Sequence, residues 1–267
     1  MKKIIFLKLG GSLITDKTKP FSVRMPVIRI LVRQIKMALD SDRNLQLVIG
    51  NGAGSYAHYP ATNYNMTKPL SEDRQIEGFV KVQDAAAQLN RIIVAELLKV
   101  GVRAISLNPS SMVISKRGKI QTFLIDHFVG FLKIGVIPVL YGDIVYDESY
   151  GYKIFSTEQL LSELAKRFIK KNIKIAKIIH NGITRGVLDN EGKLVKVITA
   201  KTFSTIKSFF SKAKGFDVTG GMIHKVEESL VLTKYGIKTL IINGTAKKDL
   251  LKKALCEEAV EGTLITA

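Results

Sequence analysis

The sequence predicts an α/β fold: a mainly parallel central sheet with helices on both faces and β-hairpins projecting beyond it. Three observations carry this. Apolar runs of strand length alternate with helical patterns of ten or more residues almost throughout the chain. Several of those runs end on glycine, where open α/β sheets place their ligand loops. The length, 267 residues, suits one large α/β domain with a sizeable core.

The first strand is "IIFLKL", Ile4 to Leu9. Its apolar run is too short for a signal peptide, and glycines and charges follow where a small-residue cleavage site belongs. "MPVIRILVRQIKMALDS" reads as a helix, "LQLVIG" as the second strand, and "EGFVKVQDAAAQLNRIIVAELLKVG" as a long helix. "RAISL" and "VIPVLYG" are strands. "STEQLLSELAKRFIKK" is a helix that Ser156 and Gln159 open as a capping box. "KIAKIIH" and "KTLIING" are strands flanking the helix "GGMIHKVEESLVLTKYG". "AKKDLLKKALC" is a last helix and "GTLIT" a last strand. Two places break the alternation. "SMVISKRGKIQTF" reads as a hairpin turning at Arg117-Gly118, and "IVYDESYGYKIFS" as another turning near Tyr150-Gly151. "GVLDNEGKLVKVIT" reads as a third, turning at Asn190-Glu191-Gly192. No Pro/Ser-rich linker or repeat interrupts the chain. The expected organisation is one domain over 1–267, with an approximate N-lobe at 1–170 and C-lobe at 171–267.

Composition narrows the function classes. Hydrophobic content of 46% and charged content of 24% are ordinary for a globular protein. No apolar run reaches the ~18 residues that cross a bilayer. Cys256 is the one cysteine, which rules out an internal disulfide and fits a cytoplasmic location. The net charge of +18 invites a nucleic-acid reading. The lysines are scattered, as in "KRFIKKNIKIAK" and "AKKDLLKK", without aromatic interleaving, which argues against a dedicated nucleic-acid role. The same positive field draws in phosphorylated small molecules.

Three strand ends carry glycine clusters: Gly10-Gly11-Ser12; Gly50, Gly52 and Gly54 in "VIGNGAGSYAH"; and Gly220-Gly221 in "DVTGGMIHK". Glycine lets backbone amides approach an anion, and a helix start adds partial positive charge. Lysines stand beside two of the clusters: Lys8 and Lys17 at the first, Lys225 at the third. Neither a Walker pattern nor a complete dinucleotide fingerprint occurs. The expected cradle is therefore of another kind.

The segments "KLGGSLITDK", "GAGSYAH", "GDIVYD", "DVTGGMIHKVEE" and "NG" followed by "AL" and "GTLI" occur in one order over nearly the whole chain. In that order the sequence resembles the amino acid kinase superfamily and, within it, the isopentenyl phosphate kinases. The resemblance implies an αβα sandwich, a cytoplasmic homodimer, and transfer of the γ-phosphoryl group of ATP to a small phosphate monoester. The N-lobe would hold the acceptor and the C-lobe ATP. Lys8, Lys17 and His58 would be catalytic. Lys8, Gly10, Gly11, Ser12, Gly54, Gly221 and Lys225 would bind ATP. Ala53, Gly54, His58 and Thr157 would bind the acceptor, with His58 reaching its phosphate from a loop. Glu158 would orient the lysines. Magnesium would arrive with ATP, held by phosphates and water rather than by a protein cage. An apolar tail would lie near Phe79, Val80 and Val82, or near Ile137 and Val139. His127, His180 and His224 match no role.

Three departures from the family pattern stand out. "FSTEQLL" replaces the usual Ser-Gly-Asp, placing Thr157 for glycine and Glu158 for aspartate. "HNGITRGVLD" puts Ile183 and Arg185 where aspartates are typical. Asn51 stands where histidine or glycine is common. The alternatives are a kinase of another small phosphate or phosphonate, similar to fosfomycin kinases, and a catalytically silent nucleotide-binding member of the fold.

Overall fold

The computed structural model describes residues 2–67, 69–210, 220–245 and 247–267. Asp217, Val218 and Thr219 of the "DVTGGM" segment lie outside the described residues.

The chain begins β1 (Lys3–Leu9), α1 (Gly11–Ile14), α2 (Met25–Ser41), β2 (Leu45–Asn51), α3 (Gly54–Asn63) and α4 (Asp73–Lys99). It continues β3 (Ala104–Ser106), β4 (Val113–Lys116), β5 (Lys119–Phe123), α5 (Asp126–Lys133), β6 (Ile137–Tyr141), β7 (Asp143–Asp147), β8 (Gly151–Phe155) and α6 (Thr157–Lys170). It closes with β9 (Ile175–Asn181), β10 (Val197–Ile198), α7 (Ala200–Phe210), α8 (Gly220–Thr233), β11 (Lys238–Ile242), α9 (Leu250–Leu255) and β12 (Thr263–Ile265).

One sheet runs β10-β12-β11-β9-β1-β2-β6-β3. All its pairs are parallel except β11 with β12. Strands from both sides of residue 170 share it, and β1 forms the seam by pairing with β2 and β9. Side chains alternate across this seam with the period of a strand. Ile5, Leu7 and Leu9 face a core built with α2, α4 and α9. Ile4 and Phe6 face the opposite core, where α5 and α6 lie. Lys8 is next in that second series, so its side chain points to the α6 side. The register sets Lys8 beside Gly50 on β2 and beside His180 on β9.

The hairpins at Arg117-Gly118 and Tyr150-Gly151 form as the sequence predicts. Arg117 and Gly118 both have positive φ, 50° and 70°, as a tight two-residue hairpin turn requires. Together β5-β4-β7-β8 make a second, four-stranded sheet, with β4 and β7 parallel. Buried Asp147 holds its turns together, accepting from the Ser115 hydroxyl and from the amides of Gly118, Ser149 and Tyr150. The third hairpin is reduced to one bridge, Leu188 with Leu194. No helix among the described residues is long and apolar enough to cross a membrane.

Candidate active site

Strands β1, β2, β6, β9 and β11 point the same way; the first four run straight into Gly10, Gly52, Gly142 and Gly182, and β11 reaches Gly244 after Asn243. Ligands of open α/β sheets bind along such an edge. Two of its loops are in backbone contact. A Cβ on Gly11 would stand 2.6 Å from the nitrogen of Gly54, and one on Gly52 would stand 2.7 Å from the nitrogen of Gly11. Thr15 links the same loops: its hydroxyl donates to the Gly11 carbonyl at 2.7 Å and accepts from the Ser55 amide at 3.0 Å. These glycines are thus explained first by the close approach of the loops. Gly54 has φ of 53°, and a Cβ there would strike the Thr15 hydroxyl.

Gly10 corrects one expectation. The sequence offers its amide to ATP, but that N–H donates to the Asn181 carbonyl at 2.8 Å and fastens the loop to β9. Gly11 and Ser12, at the head of α1, are left to offer amides from this loop.

Lys8 is 6% exposed, and its Nζ lies 2.7 Å from Oε1 of Glu158. Lys225 approaches the same oxygen at 3.9 Å. Burial pushes the Glu158 carboxyl up, but Lys8, His180 and Lys225 outweigh that and hold it down at about 2. His180 is pushed down to about 3 by burial, with the ammoniums of Lys8 and Lys225 adding to the shift and Glu158 opposing it. The imidazole is neutral at physiological pH. A carboxylate in the first turn of α6 therefore faces two cations from different elements. The methylene it gains over aspartate does not prevent the contact.

Thr157 is expected at the acceptor, but its side chain is buried. Its hydroxyl donates to the Asn51 carbonyl at 2.7 Å, and its methyl lies against Gly50. A Cβ on Gly50 would come within 2.6 Å of that methyl, so Gly50 is what lets α6 start against β2. The structure gives the Thr157 side chain a joining role and leaves only its backbone near the edge. Asn51 is buried too and accepts from Asn90 of α4 at 2.9 Å.

His58 lies on α3, not on a loop. Glycines before it and Pro60 after it hide the helix in the sequence. Ala53 is the N-cap residue of α3, and the imidazole-bearing residue is exposed one turn in. Lys17 is exposed on a turn closed by the Thr15–Val23 bridge and by the Asp16 amide to the Ser22 carbonyl at 2.8 Å. Phe21 docks this turn on α3, edge-on to Tyr56 and Tyr59 at 5.5 and 5.9 Å. The segments carrying Lys17 and His58 are therefore locked to each other. Gly221 is exposed in the first turn of α8, and a Cβ there would meet nothing within 4 Å. Packing among the described residues does not explain that glycine.

Beneath α3 lies an apolar cluster that includes Ala57, Phe79, Val82, Tyr141, Ile144 and Tyr152. Phe79 and Val82, two of the candidates for the apolar tail, belong to it. Val80 faces solvent, and Ile137 and Val139 pack in the core on the α2 side of the sheet, so these three are removed from the apolar-pocket candidates. Of the departures, Ile183 is exposed, and Arg185 donates to the Gly192 carbonyl at 3.0 Å. His180 is the residue sequence reasoning missed. Its signal was available: a polar residue ending a buried strand, in register with Lys8. Among the described residues no group of three or more His, Cys, Asp or Glu could hold a metal.

Interlocked glycine loops and two cations on one carboxylate, at the carboxyl ends of parallel strands, define an open α/β protein with cations and glycine loops gathered at its strand edge. The chain belongs to the amino acid kinase family, whose profile matches residues 3–243. It is 31% identical to the isopentenyl phosphate kinase of Methanocaldococcus jannaschii over 98% of each chain. It is 29% identical to that of Methanothermobacter thermautotrophicus over 98% of this chain and 99% of the relative. A crystal structure of isopentenyl phosphate kinase superposes with a TM-score of 0.81 at 27% identity, covering 98% of this chain and all of the other.

Proposed function

We propose that the chain transfers the γ-phosphoryl group of ATP to isopentenyl phosphate, giving isopentenyl diphosphate and ADP. The observation that carries this reading is the meeting of Lys8 and Lys225 on Glu158, beside the interlocked loops that lead into α3 and His58. Full-length similarity to isopentenyl phosphate kinases supports the same acceptor.

The chemistry is an electrostatic problem, since nucleophile and electrophile are both anions. A phosphate monoester has its second pKa near ~6, so its oxygen is largely deprotonated at pH 7 and no general base is needed. One acceptor oxygen forms a bond to the γ-phosphorus. The bond from that phosphorus to the β–γ bridging oxygen breaks, and ADP leaves with the electron pair. Lys8 and Lys225 offset charge on the moving phosphoryl group and the ATP phosphates, with Glu158 aiming them. The Gly11, Ser12 and Gly221 amides add donors. His58 donates to the acceptor phosphate, and protonation near neutrality strengthens that bond. Lys17 closes over the transfer from its docked turn. Magnesium would arrive with ATP, held by its phosphates and water, and would neutralise their charge. The apolar cluster under α3 receives the hydrocarbon tail. A homodimer belongs to this reading and is checked by sedimentation.

The test is ADP release by the purified chain with isopentenyl phosphate, dimethylallyl phosphate, fosfomycin and simple alkyl phosphates. A preference for isopentenyl phosphate that His58→Ala loses is the expected outcome. A preference for fosfomycin reassigns the acceptor. Nucleotide binding without ADP release on any acceptor identifies a silent member of the family.

A further inference from the structure

Three elements turn one face each toward a common point behind the two lysines. From α8 come Lys225, Glu228, Ser229 and Leu232, at the i, i+3, i+4, i+7 spacing of a single helix face. From α6 come Glu158, Leu161 and Ser162, again one face, and from β9 come Ile178 and His180. Between them is a small, partly enclosed cavity with about 10 Å³ for the centre of a water molecule. A single buried water needs about that much room and two to four polar partners.

The partners are there. His180 Nδ1 and Glu228 Oε2 are both buried, and neither has a hydrogen-bond partner among the described residues. Buried polar atoms left without a partner lose the hydrogen bonds that water would give them in the unfolded chain. Both residues line the cavity. The Ser229 hydroxyl is already committed to the Lys225 carbonyl of its own helix, at 2.6 Å.

We propose that His180 and Glu228 hold one buried water in this cavity, and that the water pins α8 to β9 so that Lys225 keeps its place beside Glu158. His180 and Glu228 are thus positioning residues: they act on phosphates through Lys225 and touch no substrate. The role of Lys225 on ATP rests on the kinase reading above, whereas the water site does not. The groups facing Glu228 are Glu158 and Lys166 from α6, His180 from β9, and His224 and Lys225 from α8 itself. Burial, reinforced by Glu158, raises its carboxyl above the ordinary glutamate value. Its titration is therefore readable apart from that of Glu158.

The experiment has two arms on the full chain. The first records ring-nitrogen NMR of the four histidines from pH 8 to pH 4. His180 is expected to stay neutral through the upper part of that range, to show a contact with long-lived water, and to report a titration that Glu228→Gln abolishes. The second measures ATP affinity by calorimetry. His180→Leu and Glu228→Leu are each expected to raise Kd about tenfold, and the double variant no further, because one water serves both. Glu228→Gln, which keeps an acceptor, should lose less. A His180 signal indifferent to Glu228→Leu overturns the proposal, as do additive losses or unchanged Kd in variants whose circular dichroism shows them folded. If the wild type binds no ATP, the kinase reading fails and the NMR arm alone decides the water site.

Discussion

A lysine on a central strand gives up hydration worth several kcal/mol, and its ion pair with a carboxylate recovers that only with good geometry. Lys8 is such a lysine, nearly buried and 2.7 Å from Glu158. Stability alone does not explain it, because apolar replacement of both members of a buried pair is commonly neutral or stabilising by ~1–4 kcal/mol. Lys8→Met/Glu158→Leu should therefore keep or raise the thermal midpoint while ADP release falls by a factor of at least ~100, the scale of losing a main charge stabiliser. Lys8→Met alone should lower the midpoint, since it leaves Glu158 partly buried without its nearest cation. Acid sensitivity belongs to the same cluster. His180 has its folded pKa depressed to about 3 from 6.5, so the unfolded chain binds its proton first. That contribution to stability is complete above pH 6.5 and is lost as pH falls toward 3. Glu158, depressed to about 2 from 4.5, adds a second loss below 4.5. Asp143, raised by burial to about 6 from 3.8, works the other way between those values. The difference between wild type and His180→Asn isolates the first effect. Urea midpoints of the two should converge as pH falls from 7 to 4.5; a constant gap contradicts it.

At the scale of elements, the long pieces were legible because their periodicity is strong. The boundaries of α2 coincide with the predicted helix, and the capping box of Ser156 and Gln159 starts α6 as read. Helix α3 was not legible, because glycines and Pro60 carry loop chemistry while the contact with Thr15 and the glycine loop holds the segment helical. The glycines at strand ends were recognised, yet for a partial reason. Gly11 and Gly52 are small because two backbones touch, which no single chain segment reveals. This sets apart two substitutions at the same edge. Thr157→Val removes one hydroxyl from the Asn51 carbonyl, which keeps the Gly142 amide at 3.2 Å, and should cost about 1 kcal/mol. Gly11→Ala must move backbone against backbone and should cost more, over ~2 kcal/mol. Chemical denaturation of the two variants checks the order. Gly11→Ala as mild as Thr157→Val would refute the interlocked loops.

Over the whole molecule, the candidate site is assembled from parts distant in the chain: β1 and the turn after it, α3, the first turn of α6, the end of β9, and α8. The motifs identified most of those parts singly. What they could not supply was the geometry by which Lys8 and Lys225 share a carboxylate, or the place of His180 behind them. Both depend on strand register across β9-β1-β2, a property of the folded sheet. The net charge of +18 acts at this scale as well, by drawing polyanions toward the edge from a distance. The central claim is that one spot receives two phosphorylated ligands at once. Calorimetry with a bisubstrate analogue, adenosine joined through its polyphosphate to an isopentenyl group, tests it most directly. The account expects the analogue to bind at least ~100-fold more tightly than ATP alone, with most of that gain lost in Lys8→Met. An analogue that binds no better than ATP would contradict it.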